Sequence, residues 1–148
     1  SFDGYTGTTI LDGYDIDIAT GAATLMWRID LGLNIRSGAH YTQFQVWDFD
    51  GDGKAEIICK TADGTTTYDG NLNETGYVGA VSMASLDISK RGTSEEYDFR
   101  HAANSTREEY LTAFDGETGE IIDSENYVPF RGTYDEKTQI WDTTHWGD

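Results

Sequence analysis

Asp48, Asp50 and Asp52 recur at every second position in the run Asp48-Phe49-Asp50-Gly51-Asp52-Gly53-Lys54-Ala55-Glu56. Alternate carboxylates converge on one point when the backbone turns back, and Gly53 supplies that freedom. Hard cations such as Ca²⁺ take six to eight oxygen ligands, which converging carboxylates and a backbone carbonyl provide. The expected ligands are Asp48, Asp50, Asp52 and Glu56 with the carbonyl of Lys54, whose ammonium should point away into water. The first half of the run has EF-hand spacing and the second half does not. Counted from Asp48, the twelfth position of an EF-hand would be a bidentate acid, and here it is Cys59. The acid comes early, as Glu56, at the head of the strand-like Glu56-Ile57-Ile58-Cys59. A solvated acidic turn is the plain alternative, but three carboxylates this close repel one another unless a cation joins them.

A loop of this kind needs strands to present it. The residues from 41 to 47 enter it and those from 55 to 60 leave it, so the metal site is the turn of a hairpin. An earlier strand pair runs over 8–18 and 25–31, with its turn at Ala19-Thr20-Gly21-Ala22. Within it Leu25, Trp27, Ile29 and Leu31 alternate with other side chains, as in a half-buried strand. A later hairpin runs through Tyr110-Leu111-Thr112-Ala113-Phe114, turns at Asp115-Gly116-Glu117-Thr118-Gly119 and leaves by Glu120-Ile121-Ile122. Turns rich in Asp, Thr and Gly cap their own backbone or tolerate positive φ. Between 61 and 109 the sequence is polar with little periodicity and reads as a long loop. Asp17 with Thr20-Gly21 and Asp115 with Thr118-Gly119 form a faint repeat. Two successive hairpins of this sort describe one blade of a propeller. The expected fold is all-β and a single partial β-propeller over residues 1–148. It holds a half blade over 1–40, a blade with the calcium loop over 41–128, and the lead-in to another over 129–148.

Composition agrees. Seventeen glycines, one proline, Pro129, and many Thr, Tyr, Trp and Ile residues favour short strands and tight turns. The net charge of −17 argues against nucleic acid, whose phosphates would be repelled. No apolar run approaches the roughly 20 residues that span a bilayer, so neither nucleic acid nor membrane is an expected partner. Cys59 is the single cysteine, so no internal disulfide is available, and its place in a strand reads as core. The chain starts at Ser1 without methionine, which reads as a processed or excised chain. Extracellular Ca²⁺ is millimolar and suits a loop of modest affinity, so the expected location is secreted.

The run Trp27-Arg28-Ile29-Asp30-Leu31-Gly32, Asn34-Ile35-Arg36 and Gly38-Ala39-His40-Tyr41-Thr42-Gln43-Phe44 resembles the propeller-type rhamnogalacturonan lyases, polysaccharide lyase family eleven. The likeness continues through the 48–56 loop and Lys60-Thr61-Ala62-Asp63-Gly64-Thr65. It returns at Glu109-Tyr110-Leu111-Thr112-Ala113-Phe114-Asp115-Gly116 and at Tyr127-Val128-Pro129. This resemblance implies an eight-bladed propeller, of which the chain would hold about two blades. It implies a secreted, calcium-dependent enzyme that cleaves the rhamnose–galacturonate backbone of pectin by β-elimination. The implied partners are the pectic polysaccharide and the remaining blades of a longer chain.

β-Elimination from a uronate needs its carboxylate neutralised, a base for the C5 proton and an acid for the leaving oxygen. Arg36, His40 and Lys60 are the catalytic candidates, and the same three with Tyr41 are the candidates for substrate contact. Each has a bland counterpart: His40 and Tyr41 as a buried hydrogen-bonded pair, Arg36 as the partner of a nearby acid. Asp63 reads as a turn residue or a second ion ligand. Trp27 and Trp47 read as sugar-stacking platforms or as packing between blades. Two blades cut from a closed propeller are expected to expose Trp27, Trp47 and Ile57. The competing function is a non-catalytic, calcium-stabilised propeller module that binds glycan or protein.

Overall fold

Strand-forming residues and Asp-capped turns organise the chain into antiparallel hairpins. A computed structural model describes residues 7–32, 35, 43–79, 109–128, 134–135 and 140–141. The strands are β1 (Ile10–Asp17), β2 (Ala22–Asp30), β3 (Phe44–Trp47), β4 (Glu56–Ala62), β5 (Thr66–Asp69), β6 (Glu74–Tyr77), β7 (Glu109–Asp115), β8 (Ile121–Asn126), β9 (Tyr134–Asp135) and β10 (Ile140–Trp141). There is no helix among the described residues, and hence none long and apolar enough to cross a membrane.

Two four-stranded sheets result, ordered β1-β2-β5-β6 and β3-β4-β7-β8, with β9 and β10 paired separately. Each large sheet is two hairpins joined side by side, and the two interleave along the chain. The first hairpin is therefore completed by β5 and β6, which lie inside the 41–128 segment expected to form one blade. That segment contributes to both sheets. Over residues 61–79, the described part of the polar stretch, strands form where its lack of periodicity suggested loop. This part begins with the end of β4 and carries all of β5 and β6.

The turns repeat one device. Asp17 accepts from the Ala19 amide at 2.9 Å and the Thr20 hydroxyl at 2.7 Å, and the Gly21 amide donates to the Asp17 carbonyl. Asp115 accepts from the Glu117 and Thr118 amides at 2.8 and 2.7 Å, and the Gly119 amide donates to its carbonyl. Gly21 and Gly119 both take positive φ, 73° and 71°, which glycine adopts without steric cost. The faint repeat of Asp, Thr and Gly is thus one turn used twice.

Between the sheets lies a core of Trp27, Ile29, Leu31, Ile35, Ile57, Cys59, Ala62, Val78 and Phe114. Burial pushes the Cys59 thiol up to about 12, so it stays protonated as a small apolar core residue. Threonines fill the remainder in hydrogen-bonded pairs. Thr61 and Thr112 share a bond of 2.7 Å, Thr112 and Ser124 one of 2.9 Å, and Thr65 donates to the Leu31 carbonyl. Buried hydroxyls satisfied in this way avoid the desolvation cost of an unpaired polar group. Trp27 and Ile57, expected on exposed faces, are 6% and 4% exposed because the two sheets cover each other there. Exposed large apolar side chains include Phe44, Val46 and Trp47 of edge strand β3, beside others such as Ile16, Ile18, Ile122 and Val128.

Candidate functional site

The 48–56 loop joins β3 to β4, and its own amides aim its carboxylates. Gly51 and Gly53 donate to the two oxygens of Asp48 at 2.6 and 3.0 Å. The Asp52 amide donates to Asp50 at 3.0 Å, and the Phe49 amide reaches across to Glu56 at 2.7 Å. Gly51 and Gly53 make this possible with φ of 82° and 92°. One oxygen from each of Asp48, Asp50 and Glu56 lies within 4.8 Å of the others. Oxygens on opposite sides of a Ca²⁺ ion at 2.3–2.6 Å stand at most about 5.2 Å apart, so this donor set fits that ion. Asp52 is outside the group, its carboxylate accepting from the Lys54 amide at 2.8 Å. The Lys54 ammonium does not simply point into water. It pairs with Glu117 on the β7–β8 turn, and this pairing raises its pKa.

Lys60 is the one catalytic candidate among the described residues. It stands on β4 with its ammonium 3.2 Å from Glu109 on β7 and 5.7 Å from the centre of the Tyr127 ring. The Tyr127 amide donates to the Glu109 carbonyl at 2.8 Å, which closes this three-residue cluster. Arg36, His40 and Tyr41 lie outside the described residues. Asp63 is buried in the turn between β4 and β5, packed against Gly79, whose φ is +83°. It belongs to no group of three metal-capable side chains among the described residues. Trp27 is buried and Trp47 is 69% exposed on β3.

Sequence reasoning missed two features. Arg28 makes a two-pronged contact with Asp12, Nε to Oδ1 and Nη2 to Oδ2, both at 2.8 Å. Its guanidinium holds the Asp12 carboxyl below the ordinary carboxylate range. Trp27 donates from Nε1 to the Gly116 carbonyl at 2.9 Å, linking one sheet to the turn of the other. A strand-borne tryptophan and a Gly in a facing turn were the available signals, but only the fold brings them together.

Over residues 1–148 the chain matches the family model described as Rhamnogalacturonan lyase family 11, C-terminal domain. The chain belongs to this family. Rhamnogalacturonan exolyase YesX of Bacillus subtilis (strain 168) is 43% identical to it over 148 residues, 99% of this chain and 19% of the exolyase. Rhamnogalacturonan endolyase YesW of the same organism is 40% identical over 148 residues, 100% of this chain and 19% of the endolyase. The crystal structure of the exotype lyase YesX superposes with a TM-score of 0.57 at 45% identity, covering 88% of this chain and 18% of that one. Bacillus licheniformis rhamnogalacturonan lyase PL11 gives 0.56 at 46% identity, covering 88% of this chain and 18% of its own. This family-11 segment thus spans 19% of the length of the curated relatives it matches.

Proposed function

We propose that this chain is one segment of a secreted, calcium-dependent rhamnogalacturonan lyase built as an eight-bladed propeller. The enzyme would cleave the rhamnose–galacturonate backbone of pectin by β-elimination. Identity of 43% and 40% across the whole chain to an exolyase and an endolyase carries this reading. Three converging carboxylates at the 48–56 loop support the calcium part of it, and the extracellular abundance of that ion supports secretion.

In β-elimination a base takes the C5 proton of the uronate, and the C5–H electron pair becomes the C4–C5 double bond. The bond from C4 to the bridging oxygen breaks, and that oxygen takes a proton. Positive charge near the C6 carboxylate makes C5–H more acidic. Bound calcium supplies two positive charges that neutralise the loop carboxylates. Lys60, held by Glu109 and lying over Tyr127, offers a positioned cation to a uronate, while Arg36, His40 and Tyr41 are the proposed further contacts. A cleft that orients a polysaccharide needs surfaces from several blades, so the segment works with the remaining blades of the longer enzyme.

The test is absorbance at the unsaturated-uronate band when the longer enzyme meets rhamnogalacturonan, before and after chelation. Product that stops with chelator and returns with Ca²⁺ supports the proposal. Saturable glycan binding with no unsaturated product would instead make the protein a non-catalytic module.

A further inference from the structure

The calcium loop and the indole of Trp27 are separated by one turn of backbone, and that turn touches both. Gly116 lies against the Ala55 carbonyl so closely that a Cβ at Gly116 would overlap it. The Gly116 carbonyl in turn accepts from Trp27 Nε1 at 2.9 Å. Asp115 is the register partner of Glu56, the loop carboxylate that opens β4. The Lys54–Glu117 pair ties the loop to the turn a second time. The indole is also packed against Gly119 of the same turn, where a Cβ would fall 2.6 Å from Cγ, and against Gly13 of β1. Beside these contacts a cavity of about 570 Å³ opens between Gly53, Lys54, Ala55, Trp27 and Gly13.

We infer that Trp27 is a positioning residue for the calcium loop. Its bond to Gly116 sets the height of the 115–119 turn, the turn supports Ala55, and Ala55 places the Glu56 carboxylate opposite Asp48 and Asp50. This inference rests on the calcium reading above. Two sites joined through one element shift each other's affinity reciprocally. Loosening the indole therefore weakens the ion, and binding the ion tightens the indole.

The experiment is Ca²⁺ titration calorimetry on the 148-residue chain, with Trp27→Phe as the loosening variant. Phenylalanine keeps an aromatic ring but has no N–H for the Gly116 carbonyl. Arg28→Gln is the control, since it disrupts the Asp12 pair on the opposite face of the same strand. Trp27→Phe should raise Kd at least about fivefold, the lower end for coupled sites. Arg28→Gln should leave it within about twofold, as for independent positions. In the unsubstituted chain, the Trp27 indole N–H resonance should move along the calorimetric binding curve. That reading decides the matter if Trp27→Phe does not fold. Unchanged Kd in a folded Trp27→Phe, an equal loss in Arg28→Gln, or a stationary indole resonance during measured binding overturns the coupling and leaves the calcium reading standing. No heat of Ca²⁺ binding in the unsubstituted chain overturns both.

Discussion

Gly13→Ala should destabilise the chain through Trp27 alone. A Cβ at Gly13 would meet Cε2, Cζ2 and Nε1 of the indole, the last at 2.6 Å. Carbon atoms in ordinary contact stand 3.5–4.0 Å apart, and the two ring carbons lie nearer still, so roughly 1–2 Å of overlap must be relieved. The ring has little room to retreat, being backed by Gly119 and tethered to the Gly116 carbonyl. Overpacking of this kind costs about 1–3 kcal/mol, and a displaced indole also gives up a hydrogen bond worth about 1 kcal/mol. Replacing a strand glycine by alanine recovers about 0.5–1 kcal/mol of backbone entropy. The balance is a loss of about 2 kcal/mol, or roughly 4–8 °C in Tm for a domain of this size. Far-UV circular dichroism melts in saturating Ca²⁺ measure it. In a Trp27→Phe background the atoms that the new methyl strikes are gone, so the cost of Gly13→Ala should nearly vanish. Costs that add within about 0.5 kcal/mol across this double-mutant cycle would refute the reasoning.

Asp50→Ala should abolish calorimetric Ca²⁺ binding at the loop, and chelation should lower the Tm of the unsubstituted chain, since an ion bound only by the folded state stabilises it; unchanged binding removes the assignment. Asp12 has its pKa lowered from 3.8, first by the hydrogen bond from Arg28. The stability this pair contributes is fully present above pH 3.8 and lost as pH falls through the lower folded value. The Tm gap between the unsubstituted chain and Asp12→Asn should therefore hold near neutrality and close on acidification below pH 3.8; a gap that widens there contradicts it. Phe44 and Val46, each more than half exposed on β3, with Trp47 beside them, should drive self-association once charge is screened. Sedimentation velocity should show a monomer at low salt without calcium and larger species at physiological ionic strength, where the Debye length is about 8 Å. A compact monomer under every condition would mean that the chain closes on itself.

Much of the strand order was legible because local chemistry wrote it. The Asp-capped turns at 17–21 and 115–119 and the loop at 48–56 each mark a hairpin, and all three hairpins form. β5 and β6 were not legible because their buried face is threonine, not leucine or valine. Thr65, Thr66 and Thr67 are essentially inaccessible, with hydroxyls bonded to neighbouring backbone or to Thr75. A β-branched run before Tyr68-Asp69-Gly70 was the signal that a hydropathy reading passes over. The Arg28–Asp12 pair was hidden by a bulge. Carried straight down from Asp17 opposite Ala22, the β1–β2 register would set Asp12 against Trp27, but the shift at Gly13/Tyr14 moves it to Arg28. At the site itself, alternation brought forward Asp48, Asp50 and Asp52, and the fold groups Asp48 and Asp50 with Glu56 while the Asp52 carboxylate stands apart. That side chain turns to cap the Lys54 amide, a choice made by backbone geometry that spacing does not encode.

The most direct measurement of the central claim compares the 148-residue chain with the longer enzyme on rhamnogalacturonan, following the unsaturated-uronate absorbance in Ca²⁺. If the segment contributes a calcium-held part of a cleft assembled from several blades, the longer enzyme produces the band and the chain alone produces none. Turnover by the pure chain that disappears in an Arg36/His40/Lys60 triple alanine variant would contradict the account and place a complete site within these residues.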